Sequence, residues 1–225
     1  MKKIVIGLSG GMDSATLLGL LLGQGAEVHC CTFYYGSKHN KWENRAAENI
    51  IDFYQFKKFP VFGHPIDIST IFTDFSSNLL LSGGEIPQGH YEKESMKKTV
   101  VPGRNMIFAS IMAGLAESIG AESVALGVHS GDHHIYPDCR KDFISALYLA
   151  ISKSTEGKVQ VITPLIDDNK TSILERGFLM EPKVPYGLTR TCYTDHPFAC
   201  GKCGSCVERL EAFENLKIKD LIIYQ

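Results

Sequence analysis

The sequence predicts an α/β protein, a doubly wound and mostly parallel sheet of about five strands with a small helical and loop region at the C-terminus. Three observations lead there. Short apolar runs alternate with amphipathic helical patterns from the first residue onward. The first apolar run ends in a glycine turn that opens a helix, and sheets of this kind bind ligands beyond the carboxyl ends of their strands. The alternation is interrupted twice, at residues 78–99 and 182–206, and the second interruption carries clustered cysteines.

The elements follow in order. Ile4-Val5-Ile6-Gly7-Leu8 reads as a buried strand, and Ala15 to Leu22 reads as a helix. Glu27 to Phe33 is a second strand. From Lys41 to Tyr54, Trp42, Ala46, Ile50, Ile51 and Tyr54 recur at helical spacing. Phe59 to Phe62 makes a short third strand. Asn105 to Ile119 is a long apolar helix stopped by Gly120, a residue suited to a C-terminal cap. Ser123 to Gly127 is a strand, Asp142 to Ser152 a helix, and Val159 to Ile162 a strand before Thr163-Pro164. Val207 to Leu216 completes the set as a helix. Residues 78–99, with Gly83-Gly84, Pro87 and Gly89, read as a surface excursion, and a lid is one use for such a loop. The expected division is a nucleotide-binding α/β domain over residues 1–181 and a cysteine-bearing region over 182–225.

The turn between the first strand and helix is Leu8-Ser9-Gly10-Gly11-Met12-Asp13-Ser14. Backbone N–H groups in a first helical turn lack intrahelical partners and sit at the positive end of the helix dipole. Glycines let that backbone approach an anion, and Ser9 and Ser14 add hydroxyl donors. The alternative is a turn that merely joins two elements. The loop lacks the spacing and lysine of a Walker motif and the third glycine of a dinucleotide fingerprint. Ser-Gly-Gly-x-Asp-Ser after a strand resembles the PP-loop of ATP pyrophosphatases, which present ATP's α-phosphate to a substrate. Asp13 would repel a phosphate by itself, and a bound Mg²⁺ reverses that sign.

Composition sets bounds. Apolar residues make up 44% of the chain and charged residues 21%, ordinary for a globular protein of 225 residues. A net charge of −2 gives no overall attraction to nucleic acid. No apolar run approaches the ~18 residues of a membrane span, and no leader pattern is present, so a cytoplasmic location is expected. In such a compartment seven cysteines do not form a disulfide framework. Cys192, Cys200, Cys203 and Cys206 follow C-x7-C-x2-C-x2-C, a spacing that lets four thiolates wrap a tetrahedral Zn²⁺. Gly201 and Gly204 read as the turn residues of that knuckle. A closed thiolate shell makes the metal structural. An iron–sulfur cluster uses similar ligands, and His196 could replace one cysteine.

Further segments resemble one family. They are Tyr34-Tyr35-Gly36-Ser37-Lys38-His39 with Glu43 and Ala46-Ala47, Val101-Pro102-Gly103-Arg104-Asn105, and Gly127-Val128-His129-Ser130-Gly131-Asp132. Tyr136-Pro137-Asp138-Cys139-Arg140, Pro164-Leu165 with Lys170, and the four cysteines complete them. Together with the glycine loop they resemble the 7-cyano-7-deazaguanine synthase family over nearly the whole chain. The resemblance implies an adenine-nucleotide α-hydrolase-like fold. It also implies an ATP-dependent ligase that converts 7-carboxy-7-deazaguanine and ammonia to the nitrile through acyl-adenylate and amide intermediates. ATP with Mg²⁺, structural Zn²⁺ and a homodimer come with it, and neither nucleic acid nor membrane is an expected partner.

By that resemblance Leu8, Ser9, Gly10, Gly11, Met12, Asp13 and Ser14 bind ATP and its Mg²⁺, and Lys170 neutralises the departing pyrophosphate. The other reading of Lys170 is a surface lysine at a helix start. Arg104 and Asn105 face phosphate or the substrate carboxylate, or Arg104 stands in an ion pair. Tyr35 and His39 contact the heterocycle, with a packed or capping role the alternative for His39. Asp132 and Asp138 accept N–H donors from the guanine-like edge, or cap helices. Arg140 braces a carboxylate, and Cys139 is a small buried side chain rather than a nucleophile. The family commonly has Pro-Asn-Arg-Asn where this chain has Pro102-Gly103-Arg104-Asn105, and a small pair where it has His133-His134. An amide-stopping variant, a PP-loop tRNA thiolase and a nucleotide-binding protein without catalysis remain as alternatives.

Overall fold

The computed structural model describes residues 1–90, 94–129 and 135–225. Among them, five strands form one sheet: β1 (Lys3–Gly7), β2 (Glu27–Tyr34), β3 (Val61–Asp67), β4 (Ser123–Ala125) and β5 (Gln160–Ile162). The order across the sheet is β3-β2-β1-β4-β5, and every neighbouring pair is parallel. The helices are α1 (Met12–Gly23), α2 (Asn40–Phe56), α3 (Arg104–Ile119), α4 (Lys141–Ser154), α5 (Lys170–Leu179) and α6 (Gly204–Asn215).

A parallel sheet covered on both faces needs strands that are apolar on both sides, and β1 fits with Ile4, Val5 and Ile6 all buried. Alternation splits the core. Ile4, Ile6, Val28 and Cys30 pack with Leu17, Leu18 and Leu21 of α1 and with Ile50 and Tyr54 of α2. Val5, Cys31, Phe33 and Val124 face the other way, onto Ala109, Met112 and Ala113 of α3 and Leu147 and Ile151 of α4. The strand order reverses between β1 and β4, so the glycine loop after β1 lies at the topological switch point, where a crevice opens.

The α/β architecture and parallel sheet are as the sequence predicts, with most element ends displaced by a residue or two. Three differences have physical causes. β3 runs on to Asp67, past Gly63 and Pro65. It is an edge strand, where a proline's missing N–H leaves no gap in the ladder. α5 is an additional helix, fixed by a capping box in which Asn169 accepts from Ser172 N and Ser172 Oγ accepts from Asn169 N. α6 starts at Gly204 rather than Val207, because Cys203 takes the extended N-cap conformation. Gly204 is therefore a helical residue and not a turn glycine. Gly201 is left-handed at φ 67° and Gly120 caps α3 at φ 69°, as expected of both.

Residues 182–225 share the core of the sheet. Val184, Tyr186, Ala212 and Phe213 pack in the same cluster as α1 and β1. The excursion after residue 78 is strapped down. Lys38 Nζ donates to the carbonyls of Asn78, Gly83 and Gly84, Ser37 bridges Leu80, and Gln88 bridges Cys203. The expected lid also spans residues 91–93, which lie outside the described residues.

Candidate active site

A cavity of about 230 Å³ opens at the switch point. Its wall brings together Leu8, Ser9, Gly11, Met12, Asp13 and Ser14 from the glycine loop, Tyr35 and His39 after β2, Arg104 and Asn105 from α3, and Lys170 from α5. These are sequence-expected residues drawn from widely separated segments.

The loop is held from two sides. Gly10 adopts φ 80°, and a Cβ there would lie 2.6 Å from the Glu43 carbonyl and 2.9 Å from Ala47 N. Both the backbone conformation and the close approach of α2 therefore require glycine. Arg190 N donates to Gly10 O at 2.7 Å, tying the loop to the segment before the first cysteine. Ser9 Oγ accepts from Gly11 N at 3.2 Å and lies 3.1 Å from Ser14 Oγ. The Leu8 and Met12 side chains are fully buried in the core, so these two residues offer only backbone to a ligand. Gly10→Ala is expected to abolish nucleotide-dependent activity and to cost about 1–3 kcal/mol of stability. Isothermal titration with ATP, paired with thermal melting, checks both.

Asp13 and Lys170 are 157 residues apart in sequence, and Lys170 Nζ lies 2.6 Å from Asp13 Oδ2. It also lies 3.3 Å from His129 Nε2 and 3.4 Å from Glu208 Oε2. Lys170 is only 8% exposed, which removes the surface-lysine reading. Burial acts to raise the Asp13 pKa, but the Lys170 and His129 charges outweigh it and hold the carboxyl well below the ordinary range. Its other oxygen, Oδ1, is buried without a hydrogen-bond partner. A buried carboxylate oxygen left unpaired costs roughly 1–3 kcal/mol, and a hard divalent cation satisfies it. The residues present thus suit Mg²⁺.

Arg104 Nη1 donates to Tyr35 Oη at 3.3 Å, and its guanidinium carbon lies 5.8 Å from the Tyr35 ring centroid. Burial acts against the Arg104 charge, yet Tyr35, Tyr136, Tyr193 and Asp138 hold its pKa above the usual value. Gly103 takes φ 63°. Asparagine and glycine are the residues that tolerate this left-handed region, so replacing one by the other here preserves the backbone that presents Arg104.

Asp138 and Arg140 do not line the cavity. Asp138 Oδ2 accepts the Asn105 backbone N–H at 3.0 Å, and its carbonyl accepts from Asn105 Nδ2 at 3.2 Å. Asp138 therefore caps the start of α3 from a distant segment. Arg140 is exposed at the N-cap of α4. Cys139 is buried and takes a contact of 3.4 Å from Asn105 Nδ2. Asp132, His133 and His134 lie outside the described residues. Sequence reasoning gave no role to Glu43, Phe108, Arg190, Thr191, Tyr193 or Ser205, all of which line the cavity. The polar triplet Thr189-Arg190-Thr191 abutting the first cysteine was the available signal for part of that set.

The four cysteines bring their Sγ atoms within 4.8 Å of one another, close to the ~3.8 Å edge that Zn–S bonds of ~2.3 Å give a tetrahedron. Backbone N–H groups of Thr194 and Cys200 point at Cys192 Sγ, and those of Lys202 and Cys203 at Cys200 Sγ. The cluster could hold a metal ion. His196 is exposed and stands outside it. Arg190, Thr191 and Tyr193 leave this knuckle for the cavity wall. Loading the cluster with Zn²⁺ is expected to raise both thermal stability and ATP affinity, and chelation to lower them, read by melting and titration in each state.

A glycine loop at the switch point of a 3-2-1-4-5 parallel sheet, with an acid–lysine pair at its mouth, defines an adenine-nucleotide α-hydrolase-like protein. Among solved structures, NMN synthetase from Francisella tularensis superposes with a TM-score of 0.50 at 15% identity, over 84% of this chain and 65% of that one. That likeness is one of fold. The family profile described as "Queuosine biosynthesis protein QueC" matches residues 3–217, and the chain belongs to that family. The 7-cyano-7-deazaguanine synthase of Psychromonas ingrahamii is 44% identical over 225 residues, covering 100% of this chain and 98% of that protein. The enzyme of the same name from Pseudoalteromonas atlantica is 42% identical, with 100% of both chains covered. No helix among the described residues is long and apolar enough to cross a membrane.

Proposed function

We propose that the chain is an ATP-dependent carbon–nitrogen ligase that makes 7-cyano-7-deazaguanine from 7-carboxy-7-deazaguanine and ammonia. The observation that carries this is the buried Asp13–Lys170 pair beside the glycine loop, in a chain that matches named synthases over its full length. A carboxylate is a poor electrophile because its leaving group would be oxide. Attack by its oxygen on the α-phosphate forms the acyl-adenylate and releases pyrophosphate, and ammonia displaces AMP to give the amide. A second attack, by the amide oxygen, allows the nitrogen to lose its remaining protons as AMP departs and C≡N forms. The same carboxyl carbon on the heterocycle is activated twice, so one cavity serves both rounds.

In this reading the loop N–H groups and the Ser9 and Ser14 hydroxyls hold the β,γ-phosphates. Lys170 offsets charge on the leaving pyrophosphate. Asp13 holds Mg²⁺, which when bound neutralises phosphate charge. Arg104 and Asn105 orient the substrate carboxylate, and Tyr35 stacks against the ring. Zn²⁺ occupies the four-cysteine knuckle. Residues 1–181 form the nucleotide-binding unit, and residues 182–225 a metal-fixed wall beside it. Mass spectrometry of products from acid, ATP, Mg²⁺ and ammonium tests the assignment. Nitrile is expected, amide alone revises the endpoint, and unchanged acid removes the proposal.

A further inference from the structure

Adenylation leaves one carboxylate of the cavity wall without a task. Glu43 lies in the first turn of α2 and faces the cavity, and its own carbonyl is the atom that a Cβ at Gly10 would meet. An acid therefore stands beside a loop suited to an anion. Among the described residues no lysine or arginine pairs with it. Its ionic neighbour is His39, whose Nε2 lies 3.3 Å from Glu43 Oε2. His39 is 1% exposed, and its Nδ1 is buried without a partner. With no acceptor at Nδ1, the ring's hydrogen bond is the one Nε2 makes to the carboxylate. His39 thus holds Glu43 in place, and the carboxylate is left as the proton acceptor. Tyr35, whose pKa burial raises, and Tyr193, with its ring 5.2 Å from that of His39, flank the pair. Arg104 and Arg190 complete the charged wall.

We propose that Glu43 is the ammonium site and the base of the amination steps, with His39 as its positioning residue. The inference rests on the ligase reading. The nitrogen arrives as ammonium, loses one proton to become a nucleophile, and ends in the nitrile with none. In the first round ammonium gives one proton to Glu43 and becomes ammonia; the C–N bond then forms, the carbonyl carbon–oxygen bond to AMP breaks, AMP keeps the electron pair, and a second proton passes from nitrogen to Glu43, leaving the amide. In the second, two protons leave nitrogen in turn as its electron pairs become C≡N and AMP departs. Glu43 returns each proton to solvent through the cavity mouth before accepting the next.

Hydroxylamine separates this role from adenylation, because it is already neutral near pH 7 and traps an acyl-adenylate as the hydroxamate without a base. With full-length, metal-loaded protein, three rates are compared: acid-dependent ATP–pyrophosphate exchange, hydroxamate formation, and amide plus nitrile formation from ammonium. Glu43→Gln is expected to lower the ratio of ammonium to hydroxylamine turnover by on the order of 10²-fold. His39→Ala should lower it by less, and His39→Gln, which can still donate to Glu43, should restore part of the loss. A ratio unchanged in Glu43→Gln overturns the inference, as does a loss confined to exchange, which would make Glu43 a ligand of acid or nucleotide. Absence of exchange in the parent protein would overturn the ligase reading and this inference with it.

Discussion

Replacing Lys170 by methionine is expected to lower the rate of acid-dependent pyrophosphate release by about 10²–10³-fold, the usual cost of losing one donor that meets developing charge. The size follows from where the ammonium lies. Lys170 Nζ is buried and sits 2.6 Å from Asp13 Oδ2, in the first turn of the helix that follows the glycine loop. Such a charge acts in a region of reduced dielectric, where its effect on a leaving pyrophosphate exceeds that in water. The substitution also leaves Asp13 buried without its closest cation, so a loss of stability accompanies the loss of rate. Lys170→Arg should not restore activity, because a planar fork cannot occupy the place of a compact ammonium among Asp13, His129 and Glu208. Single-turnover measurement of pyrophosphate release separates chemistry from binding. A rate within tenfold of the parent's would remove Lys170 from the adenylation step.

The second large effect is on stability. Arg209 of α6 is fully buried and uses all five of its N–H donors. Nε and Nη2 grip Asp220 at 2.7 and 2.8 Å. Nη1 reaches the Thr189 and Thr191 hydroxyls at 2.7 and 3.0 Å, and Nη2 also reaches the Tyr186 carbonyl at 3.1 Å. This one side chain joins α6, the C-terminal tail and the segment that lines the cavity. Removing one partner of such a pair costs about 3–5 kcal/mol, so Arg209→Met should lower the melting temperature by roughly 6–20 °C. Asp220→Asn added to it should recover part of the loss, since no charge is then left buried unpaired. The pH dependence gives an independent sign. Burial raises the Asp220 pKa, but Arg209 lowers it further, for a net depression. The pair's stabilisation is therefore complete above the unfolded carboxyl's pKa, ~3.9, and fades as pH falls through the lower folded value. The penalty of Arg209→Met should shrink on acidification as Asp220 becomes protonated.

What was legible in the sequence was local or periodic. The apolar runs that become β1 and β2, the glycine loop and the cysteine spacing each carry their signal within a short window, and each appears where expected. β3 was truncated because Gly63 and Pro65 mimic a break that only an edge position tolerates. α5 was missed because its cap is an Asn–Ser box rather than the commoner pairing with a glutamate. Long-range partnerships were legible only through the family resemblance, which put Lys170 with the glycine loop. Nothing near Asp138 in sequence names α3 as the helix its carboxylate caps, and nothing near Arg209 names Asp220 and two threonines as its partners. The expected residues of the glycine loop that line the cavity carry their signal in one short motif. Glu43, Arg190 and Tyr193 needed the fold to bring them to the wall.

Following the oxygen atoms tests the central claim most directly. If the substrate's own oxygens capture AMP, 7-carboxy-7-deazaguanine labelled with ¹⁸O at both carboxylate positions should yield unlabelled nitrile and two molecules of AMP, each carrying one ¹⁸O on phosphorus. Unlabelled AMP, or ADP in its place, would mean that ATP is cleaved by some other route and would contradict the account.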